Sequence, residues 1–265
     1  MSGDRGAAWG ALPAATGSDV TGEVIASFGS AVYLRLGGHV VALVTESSPA
    51  GPLHARLTTL PTCRPGVAAT LRRGEIWIDD MRISLPVGEW HPEPIADPLM
   101  AVPLLNRLVT HVPALDLDGG GRTWAAFVQR LDEGDLAGAC VLVAGLGAGL
   151  TPAGDDVAAG AMFVHALTGR TDPERLADIA RKAPTHEISL AFLAWAARGQ
   201  AIEPAHFLVD GAAAGSVTTV RSALRRLSSV GHTSGRDIAA GITAALGALA
   251  SVRRPASNAA THTVR

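Results

Sequence analysis

Lysine is almost missing from this chain. Lys182 stands alone against 21 arginines in 265 residues. A phosphate-cradling Walker loop needs a lysine after its glycines, and none is there. A Schiff-base lysine would have to be Lys182. It follows Arg181 at a predicted helix end, where a cation is an ordinary partner of the helix dipole. Cysteine is scarce too, with only Cys63 and Cys140. There is no CxxC and no disulfide framework, which fits a reducing compartment. Cys140 lies in an apolar run, where a buried thiol is the default.

Clustered positive charge is also absent. The formal net charge is −2, and the arginine pairs at 72–73, 225–226 and 253–254 form no stripe with interleaved aromatics. Nucleic-acid binding needs such a footprint and is not expected. The most apolar runs, 137–150 and 238–252, fall short of the roughly 18 residues that a membrane span requires. The N-terminus carries no basic-then-apolar targeting segment. The expectation is a cytoplasmic protein with no membrane contact. HExxH is missing, since His186-Glu187 is followed by Ile-Ser-Leu, and so is a GxSxG elbow. The dinucleotide fingerprint GxGxxG fails because Leu150 stands where its last glycine belongs.

What is present divides in two. From about Val20 to Leu85 the hydrophobic period is two. Val32, Leu34 and Leu36 alternate with Tyr33 and Arg35, and Gly37-Gly38 is a two-residue hairpin signal leading into His39–Val44. A second hairpin is expected to turn at Asp79-Asp80. The segment 86–98 holds four prolines and reads as a linker. Beyond it the period is helical. Stripes run through Ala101, Leu104, Leu105, Leu108, Val109 and Val112, through Trp124, Phe127, Val128 and Leu131, and through Ile188, Ala191, Phe192 and Trp195. Asp172-Pro173-Glu174 opens a helix, with Asp as N-cap and Pro at the first position. The predicted class is α+β. An antiparallel β-domain over 18–91, or a small barrel, precedes a mostly helical domain over 97–252, with loose termini at 1–17 and 253–265.

One segment concentrates unusual residues: Gly145-Leu-Gly-Ala-Gly-Leu-Thr-Pro-Ala-Gly-Asp-Asp-Val-Ala-Ala-Gly160. It has an echo at Gly231-His-Thr-Ser-Gly-Arg-Asp-Ile-Ala-Ala-Gly241. With one residue gapped, Gly149, Thr151, Gly154, Asp156 and Gly160 align with Gly231, Thr233, Gly235, Asp237 and Gly241. Glycines let backbone approach a ligand, and unpaired N–H groups at a helix start point at it, which is how small anions are held. The candidate binding residues are Gly147, Gly149, Thr151, Gly154, His232, Thr233, Ser234 and Gly235. Asp155, Asp156 and Asp237 are the candidate catalytic residues, able to orient an amide, accept a proton or hold a divalent ion. The plainer reading makes these aspartates and threonines helix caps and the last glycines packing points. A cap explains either copy; it does not explain the recurrence of Gly, Thr and Asp in both. Thr185 and Ser189, in the first turn of another predicted helix, are further candidates against an equal capping reading. His165 on an apolar helix reads as core.

These segments resemble the oxamate carbamoyltransferase subunit AllH family. The resemblance rests on GLGAGLTPAGDDVAAG, on Pro184-Thr-His-Glu-Ile-Ser189 and on GHTSGRDIAAG, and covers about 137–241. Gly22–Phe28 and Gly51-Pro52 fit it more loosely. His186 stands where a second Thr is expected and Thr233 where a Ser is. The resemblance implies a subunit of an enzyme of purine degradation that moves a carbamoyl group from oxalurate to phosphate, giving oxamate and carbamoyl phosphate. It implies partner subunits and small anionic metabolites as ligands. No cofactor is predicted, a divalent cation is left open, and no metal ligand set is read. Two other readings stand beside it: a non-catalytic scaffold or metabolite sensor, and a stand-alone metal-dependent amide hydrolase built on Asp155, Asp156 and Asp237.

Overall fold

The computed structural model describes residues 3–12, 19–109 and 121–252 of the chain. The expected tail from Arg253 and the stripe position Val112 lie outside these residues. The fold is α+β, a nine-stranded mixed sheet curled into a half-barrel and followed by helices. The strands are β1 (Asp4–Arg5), β2 (Val20–Ser27), β3 (Ala31–Leu36), β4 (His39–Thr45), β5 (His54–Leu57), β6 (Ala68–Arg72), β7 (Glu75–Ile78), β8 (Met81–Ser84) and β9 (Gly88–Glu89). They lie in the order β8-β7-β6-β2-β3-β4-β5-β1-β9.

Both expected hairpins form. Gly37 and Gly38 have φ of 55° and 83°, the two positive values that a two-residue turn matching the strand twist demands. Asp79 turns the other with φ 52°. The sheet is not wholly antiparallel, however. β4 pairs with β5 in parallel, because segment 46–53 carries the chain back to the end of the sheet from which β4 began, and β1 pairs with β9 in parallel too. Residues 4–10 are not loose either. β1 pairs with β5 and β9, and the short helix α1 (Ala7–Gly10) buries Trp9, whose indole Nε1 donates to the Leu53 carbonyl at 2.9 Å. Alternation in the sequence could not show this, since the tie is one aromatic anchor in an Ala/Gly run.

The alternating residues build the sheet's core, with Val32, Leu34, Leu36, Val41, Leu43, Ile76 and Ile78 all fully buried. The helices are α2 (Val102–Leu108), α3 (Arg122–Asp132), α4 (Leu136–Val143), α5 (Ala153–Leu167), α6 (Pro173–Lys182), α7 (Glu187–Ala196), α8 (Glu203–Ala213), α9 (Val217–Ser228) and α10 (Ser234–Val252). Asp172 caps α6 as expected, accepting from the N–H groups of Glu174 and Arg175 with Pro173 in the first turn. α5 is buried on nearly every face, so it is the axis of the helical core rather than an amphipathic surface helix. No helix among the described residues is long and apolar enough to cross a membrane.

The two cores are joined by α7. Its Ala191, Phe192 and Trp195 pack against the sheet's cluster. Glu187 at its start pairs with Arg35 of β3 at 3.1 Å. Further along, the Glu203 N–H donates to the Ala50 carbonyl at 2.8 Å. β4 is accordingly buried on both faces over Val41–Val44, which a strand with one solvated face would not be.

Candidate functional site

The two glycine-rich segments are the same local structure built twice. In each, a helix ends, a glycine loop turns the chain, and a second helix starts against the first one's last turn. α4 leads through Gly145–Pro152 into α5, and α9 leads through Ser229–Thr233 into α10. A side chain at Gly154 would collide with the Val143 carbonyl of α4, and one at Gly235 with the Leu227 carbonyl of α9. The correspondence continues along the helices. A side chain at Gly160 would strike the Ile238 carbonyl, and one at Gly241 the Val157 carbonyl. Val157 and Ile238 occupy equivalent positions in the two segments, so the α5–α10 crossing is reciprocal, as a local two-fold axis makes it. The missing side chains let the backbones touch, and that brings the two helix starts together.

Those starts form part of the wall of a cleft of about 630 Å³ between the sheet and the helices. Gly147 and Gly149 take φ of 113° and 102°, values that a side chain resists. Among the described residues, the N–H groups of Gly147–Thr151 and of His232–Ser234 donate to no protein acceptor. Gly149, Thr151 and Asp156 line the cleft from the first segment, and His232, Thr233 and Ser234 from the second. Thr151 and Ser234 meet across it, with hydroxyls 3.1 Å apart.

Asp156 is the acidic residue of this wall. The hydroxyls of Ser234 and Thr151, one from each segment, lie beside its carboxylate, yet its Oδ2 is buried with no hydrogen-bond partner. Burial drives its pKa well above the usual carboxylate range, and the charges of Asp237 and Asp155 add to this against the two hydroxyls. Asp237 occupies the equivalent place one turn into α10. Its Oδ2 is likewise buried and unpaired, and burial raises its pKa against the nearby Thr233 hydroxyl and Arg236. It does not line the cleft itself.

Asp155 faces elsewhere. One carboxylate oxygen accepts from the Gly145 N–H at 2.7 Å and the other from the Thr185 hydroxyl at 2.6 Å. Asp155 and Thr185 thus brace the first loop against the segment before α7, and neither reaches the cleft. Ser189 is buried on α7 with an unpaired hydroxyl, also away from the cleft. Gly154 and Gly235 serve the helix contacts described above, and Gly147 lies beside the lining residues.

The opposite wall comes from the sheet, where the sequence offered no motif. Phe28, Tyr33, Thr45, Ser47, Ser48 and His54 line it. Burial and the charge of Asp156 push the Tyr33 phenol up to about 12. Burial lowers the pKa of His54, whose Nδ1 lies 2.9 Å from the Pro49 carbonyl. In the neutral ring that nitrogen donates, which leaves Nε2 as an acceptor. Phe192 of α7 stands edge-on to both rings, with centroids 6.5 Å from Tyr33 and 6.3 Å from His54. The lone signal for this wall was Tyr33, the chain's single tyrosine, at an outward position between Val32 and Leu34.

Among the described residues, no lysine or arginine lines the cleft. Nor is any group of three or more of their His, Cys, Asp or Glu side chains placed to hold a metal ion. Asp155, whose two oxygens accept from Gly145 and Thr185, does not line the cleft with Asp156. The cleft thus presents N–H and hydroxyl donors next to one buried carboxyl and below aromatic side chains.

No curated protein and no solved structure matches the chain. The stretch from the last turn of α4 into α10, residues 143–246 and less than half of the chain, matches the model of the family described as oxamate carbamoyltransferase subunit AllH, the family that its glycine-rich segments resemble.

Proposed function

We propose that the chain is a substrate-binding subunit of a carbamoyltransferase that moves a carbamoyl group between oxalurate and phosphate and works only with partner subunits. The observation that carries this reading is the convergence of two glycine loops and two helix starts on one cleft, with Asp156 tied to both. The open N–H groups and the hydroxyls of Thr151, Thr233 and Ser234 suit the carboxylate of oxalurate and the oxygens of phosphate. The family match supports the carbamoyl chemistry.

In the transfer, a phosphate oxygen adds to the carbamoyl carbon and the bond from that carbon to the oxamate nitrogen breaks. The proton that phosphate gives up ends on that nitrogen. Negative charge gathers on the carbamoyl oxygen as the anionic nucleophile approaches, so fixed donors or cations must face it. The cleft supplies donors but, among the described residues, no lysine or arginine. Partner subunits are the natural source of the missing charge.

The test is a coupled assay for carbamoyl phosphate, run with the purified chain, with its partners, and with both. Turnover is expected only from the full set, and Asp156→Asn should abolish it without dissociating the complex. Turnover by the isolated chain would make it a stand-alone enzyme. Partners that are fully active without it would leave it a scaffold. A correctly assembled set with no turnover would refute the carbamoyl assignment.

A further inference from the structure

We propose that Asp156 and Asp237 together hold a divalent cation of the magnesium or manganese type at the meeting of the two helix starts. The two carboxylates occupy equivalent positions in the repeated segment, and each is more than nine-tenths buried, at 7% and 3% exposure. Each has hydroxyls beside it, those of Thr151 and Ser234 for one and of Thr233 for the other. Each nevertheless keeps an Oδ2 buried with no partner at all. Buried carboxylate oxygens are normally satisfied, so two left open at matching places call for something that binds both.

The chemistry of the surroundings selects a hard cation. All the polar side chains named here are oxygen donors: two carboxylates and three hydroxyls. Magnesium is typically held by one or two carboxylates, with water and ligand phosphate completing its shell. That mode does not need the three-residue cluster of acids, histidines or cysteines that the described residues lack. Charge argues the same way. Helix starts favour anions and Arg236 acts on Asp237, yet the negative charge of Asp237 still bears on Asp156. A divalent ion offsets both. It would also place positive charge beside Asp156, which lines the cleft. The site stands independently of the carbamoyl assignment, because it concerns the metal alone.

The experiment is a titration of the chelator-treated full chain with Mn²⁺, read by the loss of the free-ion electron paramagnetic resonance signal, followed by competition with Mg²⁺. One Mn²⁺ per chain is expected, displaced by Mg²⁺. Asp156→Asn and Asp237→Asn should each weaken binding by more than about tenfold. Asp210→Asn, on an exposed part of α8, should leave it unchanged. Circular dichroism without metal checks that the variants fold, and the wild-type titration decides the first point whatever they do. No Mn²⁺ bound by the wild type at millimolar concentration would overturn the proposal. Undiminished binding by Asp237→Asn would overturn the pairing.

Discussion

Replacing Gly241 by alanine tests whether the α5–α10 crossing is what assembles the site. A glycine inside a helix ordinarily costs about 0.5–1 kcal/mol relative to alanine, so the change should stabilise wherever there is room. Gly247, two turns along the same helix, has room, with nothing within 4 Å of the place its new methyl would occupy. Gly241 does not. Its new Cβ would lie 2.9 Å from the Val157 carbonyl carbon and 3.1 Å from the Val157 Cα, and nearer still to the carbonyl oxygen. Real Cβ atoms do not come within about 3.0 Å of another heavy atom, and the oxygen is the nearest, so the helices must part by roughly 1 Å or more. Overpacking of this kind costs about 1–3 kcal/mol, which exceeds the helix-propensity gain. The two alanines should therefore move stability in opposite directions, Gly247→Ala up and Gly241→Ala down, by roughly 2–4 °C in Tm per kcal/mol. Gly160→Ala should behave like Gly241→Ala, since its Cβ would sit 2.9 Å from the Ile242 nitrogen. Thermal melts of the three variants make the comparison. A Gly241→Ala chain as stable as Gly247→Ala would refute the reasoning. The crossing would then be loose, and the 3.1 Å contact of Thr151 with Ser234 would owe nothing to it.

Thr185→Val removes the hydroxyl that donates to Asp155 at 2.6 Å and should cost about 1.5–3 kcal/mol in urea unfolding. An unchanged midpoint would mean that the brace is idle. Asp156→Asn should raise the Tm of the metal-free chain at neutral pH, because burial holds the native carboxyl's pKa above its unfolded value. The sign follows from linkage. The folded state binds the proton more tightly, so the native chain loses stability as pH rises above about 4, and the variant does not. Its advantage should be largest near neutral pH and vanish as the pH falls to about 4, the unfolded carboxyl's pKa. An advantage that does not change with pH would show that the charge on Asp156 is not its source.

The features legible in the sequence were those written in local pattern. The β3–β4 hairpin is carried by two glycines and strict alternation, and the cap of α6 by Asp172-Pro173. The two glycine segments were legible as a pair because their likeness is residue by residue. Asp155 was not distinguishable from Asp156, since adjacent residues on a helix start point about 100° apart and nothing local says which direction is the cleft. One braces a loop and the other faces the ligand space. The sheet wall was hidden for a different reason. Tyr33 sits at a position that alternation assigns to solvent, and only the return of α7 over that face encloses it. Long-range packing of that kind leaves no periodic trace. The anchoring of residues 4–10 by Trp9 was invisible on the same grounds.

The cleft's two walls come from unlike parts of the chain. Residues 143–246 carry both glycine loops, Asp156, Asp237 and Phe192, whereas Tyr33, Thr45 and His54 lie in the sheet, outside that stretch. The groups that would handle charge are thus encoded apart from the groups that shape the space above them. Exchanging side chains on β3, β4 and β5 can alter which molecule fits without disturbing the helix crossing below. On the proposed function, selectivity could then be retuned on one module while the glycine-loop floor stays as it is.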